Sequence, residues 1–188
     1  KRIPTSFGEK PLIYADYTAS GRSLSFIEDA IREHVLPYYA NTHTETSFTG
    51  AQSTAYREQA RDIIRSAVNA NDDDQIIFCG PGATAAINKI VDIMGLRHPA
   101  DTNHEDQPVV FIGPYEHHSN ELPWRESRAQ VVVIPLAKDG TLDCDRLEAE
   151  LTRFASRSLK IGSFSAASNV TGVKTDTHRV AKLLHAHG

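Results

Sequence analysis

From residue 76 onward, short apolar runs alternate with longer stretches of helical rhythm, and that alternation limits the folds open to the chain. Ile76, Ile77, Phe78 and Cys79 form one apolar run, followed by a glycine turn. In the next segment, 84–96, Ile87, Ile90, Val91 and Met94 recur at helical spacing. The order then repeats, with strands expected at 109–112, 131–135 and 159–165 and helices at 120–128, 143–154 and 176–187. Apolar strands separated by amphipathic helices imply an α/β fold of three layers, a mostly parallel sheet flanked by helices on both faces.

The first part of the chain is less regular. After a polar lead-in, residues 12–16 suggest a short strand, and residues 24–39 a helix that frays at Pro37. Residues 50–70 carry Ala60, Ile63, Ile64, Ala67 and Val68 at i, i+3, i+4, i+7 and i+8, the mark of an amphipathic helix. The expected division is an N-terminal segment of strand, helix and loop over 1–48, then a larger, partial domain over 49–188. The ending His187-Gly188 resembles a capped helix, after which a βα alternation continues with another strand. This leads to the expectation of a domain truncated at its C-terminus, and with Lys1 in place of a starting Met the N-terminal end is expected to be a cut as well.

Composition removes several function classes. The net charge is −4, with 20 basic and 24 acidic residues interspersed, so no basic stripe faces a phosphate backbone and nucleic acid is not an expected partner. No apolar stretch approaches the roughly 18 residues that suggest a membrane span, and the first ten residues do not resemble a secretory signal. The expectation is a soluble, cytoplasmic protein with no membrane partner. The two cysteines, Cys79 and Cys144, fit neither a disulfide framework nor a zinc knuckle, and both read as small buried hydrophobes.

Three segments at the expected carboxyl ends of strands can carry chemistry. Residues 79–86, Cys-Gly-Pro-Gly-Ala-Thr-Ala-Ala, lie between a strand and a helix, where glycines let a phosphate approach backbone N–H groups. The same residues also suit a plain Gly-Pro-Gly turn with Thr84 as N-cap. Glu116-His117-His118-Ser119-Asn120 places two imidazoles in a loop at the sheet edge, where open α/β sheets bind ligands. A solvated loop is the plain alternative, and a metal site lacks further ligands at suitable spacing. Ser168-Asn169-Val170-Thr171-Gly172 supplies an amide that donates and accepts, or an ordinary turn.

Taken together, in order and spacing, these segments resemble the N-terminal part of the class V aminotransferase and cysteine desulfurase family. The similarity begins at residues 14–20, Tyr-Ala-Asp-Tyr-Thr-Ala-Ser, and runs through Gly82-Ala83-Thr84 to the 168–172 segment. It is most specific from Glu116 to Trp124.

The resemblance implies the incomplete large domain of a fold-type I pyridoxal-phosphate enzyme, a transferase or lyase working as a homodimer on a small amino-acid substrate. Cysteine desulfuration, cleavage of a C–S bond, is the foremost reading. It implies that the backbone at Ala83 and Thr84 and the Thr84 hydroxyl bind the phosphate of pyridoxal 5′-phosphate. His117 would stack on the ring as the catalytic imidazole, with His118 pointing elsewhere, and Asn169 would bond the ring's phenolic oxygen. Asn41 and His43 would stand on the substrate side, and no metal is implied. Ser47 stands where these desulfurases often carry a second His, and Ala85 where a Glu is common, which weakens the case for cysteine as substrate. None of the seven lysines occupies the context of the family's Schiff-base lysine, so the chain as it stands is expected to be inactive. The rival readings are a non-catalytic truncated domain that binds a phosphate ligand or a partner, and a dinucleotide-binding fold, which lacks its third spaced glycine here.

Overall fold

The computed structural model describes residues 1–97 and 107–188, which form two compact units, 1–77 and 78–188. The first unit opens with an antiparallel hairpin, β1 (Arg2–Thr5) and β2 (Gly8–Pro11), in what reads from sequence as a polar lead-in. Its turn depends on Gly8, whose φ of +82° is open to glycine and costly for most other residues. Thr5 braces it from within, donating its hydroxyl to the Gly8 carbonyl at 2.6 Å.

Residues 12–16, expected as a strand, are irregular: the Leu12 N–H donates to the Lys1 carbonyl at 3.0 Å, but the segment finds no strand partner among the described residues. The helix expected over 24–39 is broken up: α1 (Ser25–Ala30) widens into a π-type turn, Ile31–Val35, and closes in a 3-10 turn, Leu36–Tyr38, that contains Pro37. The long helix α2 (Phe48–Ala67) forms much as expected, starting where the Ser47 side chain accepts the N–H of Gly50. Gly50 is buried, and a Cβ there would overlap the carbonyl oxygen of Thr44.

The second unit holds the parallel sheet. Its central strand β3 (Val109–Ile112) pairs in parallel with β4 (Gln130–Val133) on one side and β5 (Lys160–Ser163) on the other. All four residues of β3 are buried, and their alternation divides the interior in two. Val109 and Phe111 face Leu147 and Leu151 of α5 (Cys144–Arg153) and Val180 of α6 (Thr177–Ala186). Val110 and Ile112 face Val91 of α3 (Gly82–Ile93), Leu96, and Trp124 of the short α4 (Leu122–Arg125). Each such apolar side chain contributes about 1.5–3 kcal/mol through burial, so a strand covered on both faces anchors the unit. Helices therefore flank both faces of a parallel sheet, as the alternation requires.

The helix ends of this unit follow ordinary capping chemistry. Asp143 accepts the N–H of Arg146 at the start of α5, and Asp176 accepts that of Arg179 at the start of α6. In the turn after β4, the Thr141 hydroxyl and N–H both donate to Asp139 and hold its carboxyl below the usual carboxylate range. The apolar run 76–79 forms no strand. The helix expected over 120–128 contracts to the 3-10 turn His118–Asn120 followed by α4. Among the described residues no helix is long and apolar enough to cross a membrane.

Cys144 is buried among the β3, α5 and α6 side chains, and desolvation pushes its thiol up; Cys79 is only half-buried. In the folded chain at neutral pH, iodoacetamide should therefore label Cys79 well ahead of Cys144, and the reverse order by peptide mapping would contradict this packing. A second prediction concerns β5, where a Cβ on Gly162 would overlap the methyl groups of Leu184 on α6. Gly162→Ala should cost about 1–3 kcal/mol of stability by denaturant melting. Most of that cost should vanish in a Leu184→Ala background; an equal cost in both backgrounds would refute the contact.

Candidate functional site

The carboxyl end of β3 delivers the histidine loop. Gly113 and Pro114 turn the chain off the sheet, Tyr115 and Glu116 pack inward, and His117 and His118 come out exposed. His117 caps the 3-10 turn that follows: the Ser119 N–H donates to its Nδ1 at 3.1 Å, and the Ser119 hydroxyl lies 2.8 Å from the same atom. An Nδ1 that accepts an N–H carries no proton, so the ring proton sits on Nε2.

The glycine turn leads into α3, which begins at Gly82 with Pro81 as its N-cap and no side chain capping it. The first backbone N–H groups of the helix thus lack an intrahelical partner, at its positive end. Thr84 is the third helical residue rather than the cap, and both it and Ala83 are exposed. Further along, Asn88 donates to the Thr84 carbonyl at 2.8 Å.

These two segments meet. Thr84, Asn88, His117, His118, Ser119, Leu122, Pro123 and Glu126 line one cavity of about 290 Å³. The structure therefore brings Thr84 and His117 together although 33 residues separate them in sequence. It also brings in His118, which was expected to point away: the two rings lie 6.1 Å apart, tilted by 42°, because the 3-10 turn keeps successive side chains on neighbouring faces.

Asn169 is not among the residues lining that cavity. It occupies the exposed tip of a loop closed by the Ala167–Lys174 bridge, where the Ser168 hydroxyl accepts the N–H groups of Val170 and Thr171 and Gly172 adopts φ +73°. Asn41 and His43 belong to the first unit, exposed beside α2. There the His43 N–H donates to Thr54 and the Ala40 N–H to Ser53, and His43 sits at φ 69°.

Sequence reasoning did not find the polar network beneath the histidines. Glu116 accepts hydrogen bonds from Gly113, Asn120 and Ser165, and Asn120 in turn bonds Ser163 and Trp124. The signal available was the Ser163-Phe164-Ser165 pattern at the end of β5, whose period of two puts both hydroxyls on one side. Their partners lie more than 40 residues away in sequence and leave no local mark. Among the described residues no group of three His, Cys, Asp or Glu is placed to hold a metal ion.

An uncapped helix start and an imidazole thus share one cleft at the carboxyl edge of a parallel sheet, the edge at which open α/β sheets bind ligands. A family model described as Aminotransferase class-V matches residues 13–188, and the chain belongs to that family, whose members depend on pyridoxal phosphate. It is 31% identical over 182 residues to a probable cysteine desulfurase of Halalkalibacterium halodurans, covering 95% of this chain and 42% of that protein. It is 30% identical over 182 residues to a cysteine desulfurase of Shigella sonnei, covering the same shares. Among solved structures, the apo cysteine desulfurase of Thermococcus onnurineus superposes with a TM-score of 0.74 at 24% identity, covering 92% of this chain and 41% of that one. The fold is thus that of part of a fold-type I large domain, and the chain spans about two fifths of the length of the relatives it matches.

The residues present suit the family's cofactor. A dianionic phosphate finds unpartnered N–H donors and the Thr84 hydroxyl, and a flat heteroaromatic ring finds an imidazole beside the apolar Leu122 and Pro123. The cavity is close to the lower size of small-molecule sites, about 300 Å³, which fits a compact cofactor.

Proposed function

We propose that this chain supplies the phosphate end and one ring face of a pyridoxal-phosphate site, in an enzyme that acts on a small amino acid and cleaves a C–S bond as cysteine desulfurases do. The observation that carries the reading is the convergence of Thr84, at the uncapped start of α3, with His117 in one cavity. Bound there, pyridoxal phosphate supplies an electron sink that stabilises negative charge at the substrate's α-carbon.

The chain's own residues bind and orient. The N–H groups at the start of α3, with the Thr84 hydroxyl, hold the phosphate; the helix end alone contributes about 0.3–1 kcal/mol, so the hydroxyl and the neighbouring donors are needed for selection. The His117 ring, fixed through Nδ1 by Ser119, stacks on the cofactor, which contributes about 0.5–1.5 kcal/mol beyond area burial. Leu122 and Pro123 exclude water from one side. The assignment of Asn169 to the ring's phenolic oxygen, and of Asn41 and His43 to the substrate side, rests on the family resemblance and belongs to the same proposal. So do the homodimer and a cofactor-holding lysine outside these 188 residues.

Two experiments test this. Titration with pyridoxal 5′-phosphate, followed by absorbance, should give saturable binding that Thr84→Val and His117→Ala each weaken about tenfold, a loss of about 1.4 kcal/mol. His118→Ala should weaken it less. Equal losses for the two histidines would move the stacking role to His118, and wild-type affinity in all three variants would refute the site. Borohydride reduction of the loaded chain, followed by peptide mapping, should leave its lysines without stoichiometric label; a single labelled lysine would show that the holding residue is already present.

A further inference from the structure

Glu116 has no place in the ligand contacts just described, yet its carboxylate accepts four hydrogen bonds at this edge of the sheet. One oxygen, Oε1, accepts the N–H of Gly113 at 3.1 Å and that of Ser165 at 2.9 Å. The other, Oε2, accepts the Asn120 amide at 2.7 Å and the Ser165 hydroxyl. A carboxylate offers about four acceptor positions, and here all are used. The donors come from three places: the bend after β3, the end of the 3-10 turn, and the residue two beyond β5.

Asn120 extends the arrangement. Its amide also donates to the Ser163 carbonyl at 3.2 Å, while its oxygen accepts the Ser163 hydroxyl at 2.6 Å and the Trp124 indole N–H at 3.3 Å. With both hydrogens and both lone pairs engaged, this amide cannot flip without losing its partners. His117 lies in the three-residue span between Glu116 and Asn120, so the backbone that carries its ring is fixed at both ends.

We propose that Glu116 is the positioning residue of this site. Its carboxylate clamps the histidine loop to the end of β5 and thereby sets the plane in which the His117 imidazole meets a bound ring. That last step rests on the pyridoxal-phosphate reading, whereas the clamp does not. Acceptors are required at both oxygens, since an amide nitrogen in place of Oε2 would face the Asn120 donor. The clearance is also fixed: a Cβ on Gly113 would stand 2.6 Å from Oε1, so the carboxylate occupies the space that glycine leaves open.

The test uses Glu116→Gln, which keeps shape but turns an acceptor into a donor, and Gly113→Ala, which keeps the carboxylate but displaces it. Glu148→Gln, on the exposed side of α5, is the control. Long-range ¹⁵N–¹H spectra of the ligand-free chain, with the His117 signals assigned by their loss in His117→Ala, should show a single tautomer protonated at Nε2 in the parent. Both clamp variants should average the His117 signals between tautomers and leave those of His118 nearly unmoved. The dissociation constant for pyridoxal 5′-phosphate should rise about tenfold in both variants and stay unchanged in the control. Unchanged His117 signals, with or without a lower melting temperature, would make Glu116 a structural brace only and overturn the proposal. Should either variant fail to fold, Ser165→Ala removes one donor and is expected to shift the same signals by a smaller amount. If the parent binds no pyridoxal 5′-phosphate, the cofactor reading fails while the tautomer spectra still decide the clamp.

Discussion

The second unit depends on the burial of β3 from both sides. Val109 and Phe111 belong to one apolar cluster and Val110 and Ile112 to the other, so four consecutive residues tie four helices to one strand. A strand so enclosed cannot slip by a residue without sending each side chain into the wrong cluster. Its register against β4 and β5 therefore fixes where its carboxyl end emerges, and with it the start of the histidine loop.

From that fixed point the site is assembled by polar contacts. Tyr115 reaches Thr175, whose hydroxyl donates to the Ser165 carbonyl at 2.6 Å, and Glu116 reaches Ser165 directly. The loops after β3 and β5 are thus joined by several bonds at the edge of the sheet. The cavity lies between the histidine loop with α4 on one side and α3 on the other; the apolar side of α3, Val91 and Ile87 with Met94 just past its end, packs on the face of the sheet that carries Val110 and Ile112. Packing on that face brings the uncapped start of α3 to the loop that carries the imidazoles.

Most of this core was legible from periodicity. β3 falls where its unbroken Val-Val-Phe-Ile run places it, and α5 and α6 begin one residue after the aspartates that cap them. What failed shares one physical origin, that a strand exists only through its partner. The apolar run 76–79 and residues 12–16 have strand-like composition but find no ladder among the described residues, while the polar 2–11 segment forms one because Gly8 lets it fold back on itself. Helix length failed for a related reason: residues 126–128 turn away once the Ser127 hydroxyl bonds the Trp124 carbonyl. At the site, Thr84 and His117 could be proposed from local motifs and family resemblance. Glu116 and Asn120 act through partners on β5 and just beyond it, and became visible only when the chain was folded.

The most direct test of the account is a crystal structure of a protein containing this chain, grown with pyridoxal 5′-phosphate. The account predicts phosphate density at the N–H groups that open α3, within hydrogen-bond reach of the Thr84 hydroxyl, and the pyridine ring lying flat against His117 with Glu116 still bonded to Ser165. A cofactor bound with its phosphate away from α3, or a His117 ring turned edge-on or out of the cavity, would contradict it.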